Sequence, residues 1–134
     1  MVKVRLCYAP LPFIGFIAVH YWFVVFEDGG ACHRWEVWQT PDAGGRSIGH
    51  VHCDLKAPDD GVGGGPMTIA AERSGGEAKK IVQVLDTISS YPYCRRYRYW
   101  PGPNSNTFAA WVLRQAGIEQ PLVWRAFGRS FRTT

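Results

Sequence analysis

The sequence predicts an α+β domain in which helices pack on an antiparallel sheet. Three observations carry this expectation. Two β-rich runs flank the turn signal Glu27-Asp28-Gly29-Gly30, which reads as a hairpin. Helical periodicity is confined to two stretches, one after Ser74 and one after Asn104. The order along the chain is strands, a helix, a strand and a second helix, and the only clear strand connection is antiparallel.

The elements follow in order. Val2, Val4 and Leu6 alternate with Lys3, Arg5 and Cys7, the period of a strand. Tyr8 to Pro12 reads as a proline-punctuated connector. From Ile17 to Phe26 the residues are β-branched and aromatic, as in a strand covered on both faces. Cys32 to Gln39 is the returning strand of the hairpin. Ile48 to Leu55 reads as a further strand, and Met67 to Ala71 as a short one, with the glycine-rich loop Asp59 to Pro66 between them.

Ser74-Gly75-Gly76-Glu77 matches a capping box. Ala78, Ile81, Val82, Leu85 and Ile88 then recur at helical spacing, which predicts an amphipathic helix ending near Pro92. Tyr97 to Trp100 reads as a short aromatic strand, stopped by Pro101-Gly102-Pro103. The second helix is expected from Ser105 to Ala116, with Gly117 placed to end it in the left-handed conformation.

Composition limits what this domain is. For 134 residues and 15.0 kDa, folded area scales to about 7,000 Å² against roughly 22,000 Å² for the extended chain. That suits one core, so residues 1–134 are read as a single domain. Hydrophobic residues make up 46% of the chain, which excludes a disordered segment. The four cysteines form no CxxC pair, so neither a redox motif nor a zinc ribbon is indicated, and buried free thiols are expected. The apolar run Leu11–Phe26 is broken by Pro12, Gly15 and His20 and falls short of a bilayer span, so no membrane span and a cytoplasmic location are expected. The net charge of +4 is uneven. Residues 91–134 hold seven arginines and one acid, Glu119, a balance that favours anionic partners.

One segment carries chemistry. In Gly102-Pro103-Asn104-Ser105-Asn106-Thr107-Phe108, Asn104 is a preferred N-cap residue, and Ser105 falls in the first helical turn. Backbone N–H groups there are unpaired and the helix dipole is positive, which favours an anionic nucleophile and an oxyanion. The plain reading of the same residues is a capping run.

Asn104-Ser105-Asn106-Thr107-Phe108 resembles the Asn-Cys-Asn-Thr-Phe segment of permuted papain-like thiol peptidases. Those are the deSUMOylating-isopeptidase (PPPDE) type of the NlpC-like superfamily, and the lecithin retinol acyltransferases carry a looser version. The stretch from Tyr91 through Phe108 resembles a bacterial branch of this kind. The resemblance spans residues 17–117 in topology and implies a circularly permuted papain-like domain. In those families the histidine precedes the nucleophile in the chain and opens a strand, and His20 fits that place.

Ser105 stands where the peptidases have cysteine. A thiol is partly ionised near neutral pH and a hydroxyl is not, so a serine here needs a well-placed base and oxyanion hole. The resemblance therefore implies either a serine hydrolase of amide, isopeptide or ester bonds, or a non-catalytic module that binds a peptide or glycopeptide in the same cleft. Its substrate would be a peptide, glycopeptide or acyl-type compound, with no cofactor and no metal. His20 would be the base. Backbone N–H groups at Ser105 and Asn106 would hold the oxyanion, and Asn104, Asn106 and Tyr99 would line the site. A third group is expected on the strand beside His20. A three-residue hairpin loop makes that group Glu36, whereas another length brings His33 or Gln39; Glu36 is also placed to pair with Arg34.

Two weaker patterns remain. His50-x-His52-Cys53 puts two imidazoles on one strand face near Cys32 or His33, without a second ligand pair at zinc spacing. Arg95-Arg96-Tyr97-Arg98-Tyr99-Trp100 interleaves guanidinium and aromatic groups as single-strand nucleic-acid grooves do, and offers an RNA-binding alternative.

Overall fold

The structure, a computed structural model, describes residues 2–132. Six strands form one antiparallel sheet: β1 (Lys3–Pro10), β2 (Val19–Phe26), β3 (Cys32–Val37), β4 (Arg46–Ile48), β5 (Val51–Cys53) and β6 (Thr68–Ser74). Their spatial order is β4-β5-β3-β2-β1-β6. Two helices follow, α1 (Gly75–Asp86) and α2 (Ser105–Gln115), with a 3₁₀ turn at Ile88–Ser90. The accessible area is 6872 Å², close to the value expected for one compact core. The α+β class and antiparallel sheet read from the sequence are therefore observed.

β2 is central and buried on both faces, because its period-two alternation serves two apolar layers. Val19, Tyr21, Phe23 and Val25 join the main core with Ile81 and Leu85 of α1 and Phe108 and Val112 of α2. Trp22 and Val24 face the other way and pack with Cys7, Ala9 and Val62. His20 shares that second face, next to Trp22.

The hairpin loop has five residues, since Phe26 pairs with Cys32. β2 and β3 stay paired only as far as Phe23 opposite Trp35. Beyond that point the strands part, and the outer edge of Val19–Tyr21 lacks a strand partner. The Asn106 carboxamide takes its place. Its Oδ1 accepts from the Tyr21 N–H at 3.1 Å, and its Nδ2 donates to the Val19 carbonyl at 2.9 Å. This fixes the start of α2 against the start of β2.

Several expectations are corrected. Tyr8–Pro10 is strand, not connector. Pro10 sits at the strand end opposite Val19, where a missing N–H is tolerated. Ile48–Leu55 is not one strand but the end of β4, a turn at Gly49 with φ 60°, and β5. Tyr97–Trp100 is irregular chain, closed into a loop by the bond from the Arg98 N–H to the Pro103 carbonyl at 2.8 Å. The capping box at Ser74 is not formed: the Ser74 side chain makes no cap bond, and Glu77 pairs with Arg73 at 2.8 Å. Among the described residues no helix is long and apolar enough to cross a membrane.

Candidate active site

α2 begins as its sequence requires. Asn104 is extended, and its Oδ1 accepts from the N–H groups of Asn106 at 3.0 Å and Thr107 at 3.3 Å. Thr107 Oγ1 answers by accepting from the Asn104 N–H at 3.0 Å, which completes a capping box. Asn104 is held in turn by donating to the Tyr99 carbonyl at 2.8 Å. Ser105 is thereby the first residue of α2, nearly buried, at the wall of a cavity of about 560 Å³. That volume lies in the range of small-molecule sites.

His20 lines the same cavity. Its Nε2 lies 2.7 Å from Glu36 Oε1. Glu36 is fully buried and doubly gripped by Arg34, with Nε to Oε2 at 2.7 Å and Nη2 to Oε1 at 2.9 Å. Arg34, also fully buried, donates through Nη1 to the carbonyls of Ala57 at 2.8 Å and Asp60 at 2.6 Å. Its guanidinium lies 3.9 Å from the Trp22 ring centroid. Each of its three guanidinium nitrogens thus donates to a partner, as a buried charge requires.

The protonation pattern follows. Burial pushes the Glu36 carboxyl up, but the hydrogen bond and charge of His20, and then those of Arg34, outweigh it and hold its pKa below the ordinary value. Glu36 is an ionised acceptor, so His20 Nε2 carries the proton and donates it. In the tautomer that donates from Nε2, Nδ1 carries no proton, and it has no hydrogen-bond partner among the described residues. Two indoles fix the ring: Trp22 lies tilted at 5.7 Å between centroids, and Trp38 edge-on at 5.4 Å.

The structure thus brings together Ser105, His20, Asn104, Asn106 and Tyr99 as cavity-lining residues, and joins Glu36 to His20 from behind. Ser105 and His20 share the cavity without a hydrogen bond between them, and Ser105 Oγ bonds to no described residue. One expectation is corrected. The Asn106 N–H is not open to an oxyanion, because the cap residue Asn104 already engages it. Its carboxamide is also fully used, by the Tyr21 N–H and the Val19 and Phe127 carbonyls. The Ser105 N–H is the first-turn donor without such a bond. Trp38, Gln39, Tyr97 and Tyr99 are further residues with polar groups that line the cavity.

Sequence reasoning missed the second layer. His50 donates from Nδ1 to the Trp38 carbonyl at 2.9 Å and stacks on Tyr97 at 5.4 Å, bracing two cavity walls. His52 is bonded to Ser47 Oγ and the Thr40 carbonyl, so the two imidazoles do not converge as ligands. The groups that do converge are His33, Cys53 and Asp54, with ligand atoms within 4.8 Å of one another. They already satisfy each other and Arg46, which donates to Cys53 Sγ at 3.1 Å. Burial, and then the Asp54 carboxylate, push the Cys53 thiol up to about 11. Of the basic stretch, Arg95 pairs with Asp42 at 3.1 Å, and Arg96 lies over the Phe131 ring.

Together these features define a small α+β domain with a buried arginine–glutamate–histidine chain that ends at a cavity beside a helix N-terminus. The chain belongs to the family described as Protein of unknown function (DUF3750), whose model matches residues 1–131. Searches of curated proteins and of solved structures found no match.

Proposed function

We propose that this protein is a Ser–His hydrolase of amide, isopeptide or ester bonds, built on a permuted papain-like domain. The observation that supports this most is the 2.7 Å bond from His20 Nε2 to the buried, arginine-held Glu36. It orients a histidine that lines the same cavity as Ser105. A structural histidine has no need of an ionised glutamate that is itself anchored by a buried arginine.

In this reading a substrate carbonyl enters the cavity beside Ser105. Ser105 Oγ bonds to the carbonyl carbon as its proton passes to His20 Nδ1, and the carbonyl π pair moves onto oxygen. The Ser105 N–H, with Tyr99 or Gln39, faces the resulting oxyanion. Glu36 stabilises the imidazolium without taking its proton. His20 then returns that proton to the leaving nitrogen or oxygen as the bond to carbon breaks. Water, activated by His20, releases the acyl group from Ser105. Hydrogen bonds that are open in a free enzyme close when substrate arrives, which accommodates the unbonded Ser105 and His20.

The second reading is a module that binds a peptide or glycopeptide in this cavity without chemistry. The missing Ser105–His20 hydrogen bond favours it. An RNA-binding role has less support, since Arg95 and Arg96 are already engaged within the chain. A fluorophosphonate probe separates the first two readings. The hydrolase reading expects labelling at Ser105 that His20→Ala abolishes. Labelling that survives His20→Ala refutes the pair, and a folded protein that resists every probe size favours the binding module.

A further inference from the structure

The eight large apolar side chains exposed among the described residues are not scattered. Phe13, Phe16 and Ile17 lie on one loop, Tyr99 and Trp100 on a second, and Trp124 on a third; only Ile48 and Ile69 lie elsewhere. These three segments frame the cavity. Phe13, Tyr99 and Phe127 line it. Arg125 ties the third segment to the first by donating to the Gly15 carbonyl at 2.7 Å, and the Val19 N–H donates to the Arg125 carbonyl at 3.1 Å.

Phe13 is the most informative of the six. It is 100% exposed and has φ 66°. A bulky residue in the left-handed region is strained, and one with no buried area gains nothing from folding in return. Glycine would suit the position better, so the ring has its use outside the isolated chain. Phe16, Trp100 and Trp124 are also largely exposed, at 74%, 68% and 64%. Exposed apolar groups gathered in this way mark an interaction surface.

The charge around them names the partner. Residues 11–18, 95–104 and 121–132 contain no aspartate or glutamate and carry six arginines. Arg98, Arg125 and Arg129 have no carboxylate partner among the described residues. We propose that this rim docks on a lipid bilayer containing anionic lipids. The phenylalanines would enter the acyl boundary, and the tryptophans and Tyr99 would sit at headgroup depth. The arginines would meet the negative surface. Neither contribution alone holds a protein at a membrane, and this rim supplies both. The cavity mouth would then face the lipid. The proposal does not depend on Ser105 chemistry, since a hydrolase and a binding module would dock alike.

Flotation with vesicles tests it, using phosphatidylcholine alone and phosphatidylcholine mixed with phosphatidylglycerol. The expected result is binding to the mixed vesicles that weakens as salt is raised. Each phenylalanine removed from the interface, by Phe13→Gly or Phe16→Ser, should weaken binding by about tenfold. Thermal melting of Phe13→Gly should stay unchanged or rise, which separates lost docking from lost folding. Ile48→Ser and Ile69→Ser lie outside the rim and should leave binding unchanged. No flotation with the mixed vesicles overturns the proposal. So does binding indifferent to Phe13→Gly and Phe16→Ser, or binding that Ile48→Ser reduces equally.

Discussion

Replacing Arg34 by leucine removes the anchor of the buried chain and leaves a similar apolar stem. Arg34 makes two charged hydrogen bonds to Glu36, at 2.7 and 2.9 Å, and two to loop carbonyls, at 2.8 and 2.6 Å, from a side chain with no exposure. The carbonyls of Ala57 and Asp60 belong to residues open to solvent and can rehydrate. The Glu36 carboxylate cannot, and is left buried with His20 alone. Breaking one side of such a pair costs about 3–5 kcal/mol. That is a large share of the roughly 5–15 kcal/mol that stabilises a typical domain. Arg34→Leu with Glu36→Leu removes both charges, so the double variant should lose less than Arg34→Leu alone. Arg34→Lys keeps the charge without the planar fork and should fall between wild type and Arg34→Leu. Urea unfolding of the full set measures each difference, with the slope checked for constancy. A cost below about 1 kcal/mol for Arg34→Leu would mean a solvent-screened pair and refute the reasoning. So would a double variant whose loss equals the sum of the two singles.

Three further outcomes follow from the same geometry. Asn106→Ala strands the Tyr21 N–H and the Val19 and Phe127 carbonyls. At about 1–3 kcal/mol per buried orphan, the two groups on β2 alone should cost at least about 2 kcal/mol in urea unfolding, and a loss under 1 kcal/mol would show that the clamp is dispensable. Because folding holds the Glu36 pKa below its ordinary 4.5, its contribution is fully present above that pH and is lost as pH falls through the folded value. Urea midpoints measured below pH 4.5 should fall more steeply for the wild type than for Glu36→Gln; equal slopes would contradict the pairing. Burial comes first among the causes that raise Cys7 and Cys53 to about 11. Both thiols should resist a disulfide reagent at pH 8 in the folded protein and react in urea, and fast reaction of either in the folded state would refute their placement.

What the sequence made legible depended on local rules. The two-sided burial of β2 follows from an unbroken β-branched and aromatic run, and the start of α2 from Asn104. A three-residue hairpin loop would put Glu36 opposite His20. The actual five-residue loop shifts the register by two residues, and the strands part after Phe23 and Trp35, yet Glu36 still reaches His20. Loops of three and five residues share parity, and parity alone decides which face of a strand a residue occupies. Long-range contacts were not legible. No local pattern tells that Asn106 will stand in for a missing strand beside Val19–Tyr21, or that Arg34 will be roofed by residues 57–60. The false strand at Tyr97–Trp100 has the same origin. Alternating arginines and aromatics look like a strand, but β3 already has β2 and β5 as its neighbours, and the Arg98–Pro103 bond closes the segment on itself.

Ser105→Cys tests the site without knowledge of a substrate. The position combines the first turn of α2, where N–H groups and the dipole favour an anion, with a cavity shared with His20. A cysteine there should ionise well below the free-thiol value of about 8.5, because both the helix end and an imidazolium favour the thiolate. His20 is placed to act on such a thiol, since it lines the same cavity and its Nε2 is held by Glu36. The assay is the rate of alkylation by iodoacetamide against pH. Cys7 and Cys53 interfere little because their thiols stay protonated, and Cys32 and Cys94 are replaced by serine and alanine. Reactivity should persist to about pH 6. It should retreat toward the free-thiol value with His20→Ala, and by a smaller step with Glu36→Gln, which keeps a hydrogen bond but not the charge. That order of effects follows only if the histidine acts on residue 105 and the glutamate acts through the histidine. A titration near 8.5 that ignores both substitutions would make Ser105 a cap residue and nothing more.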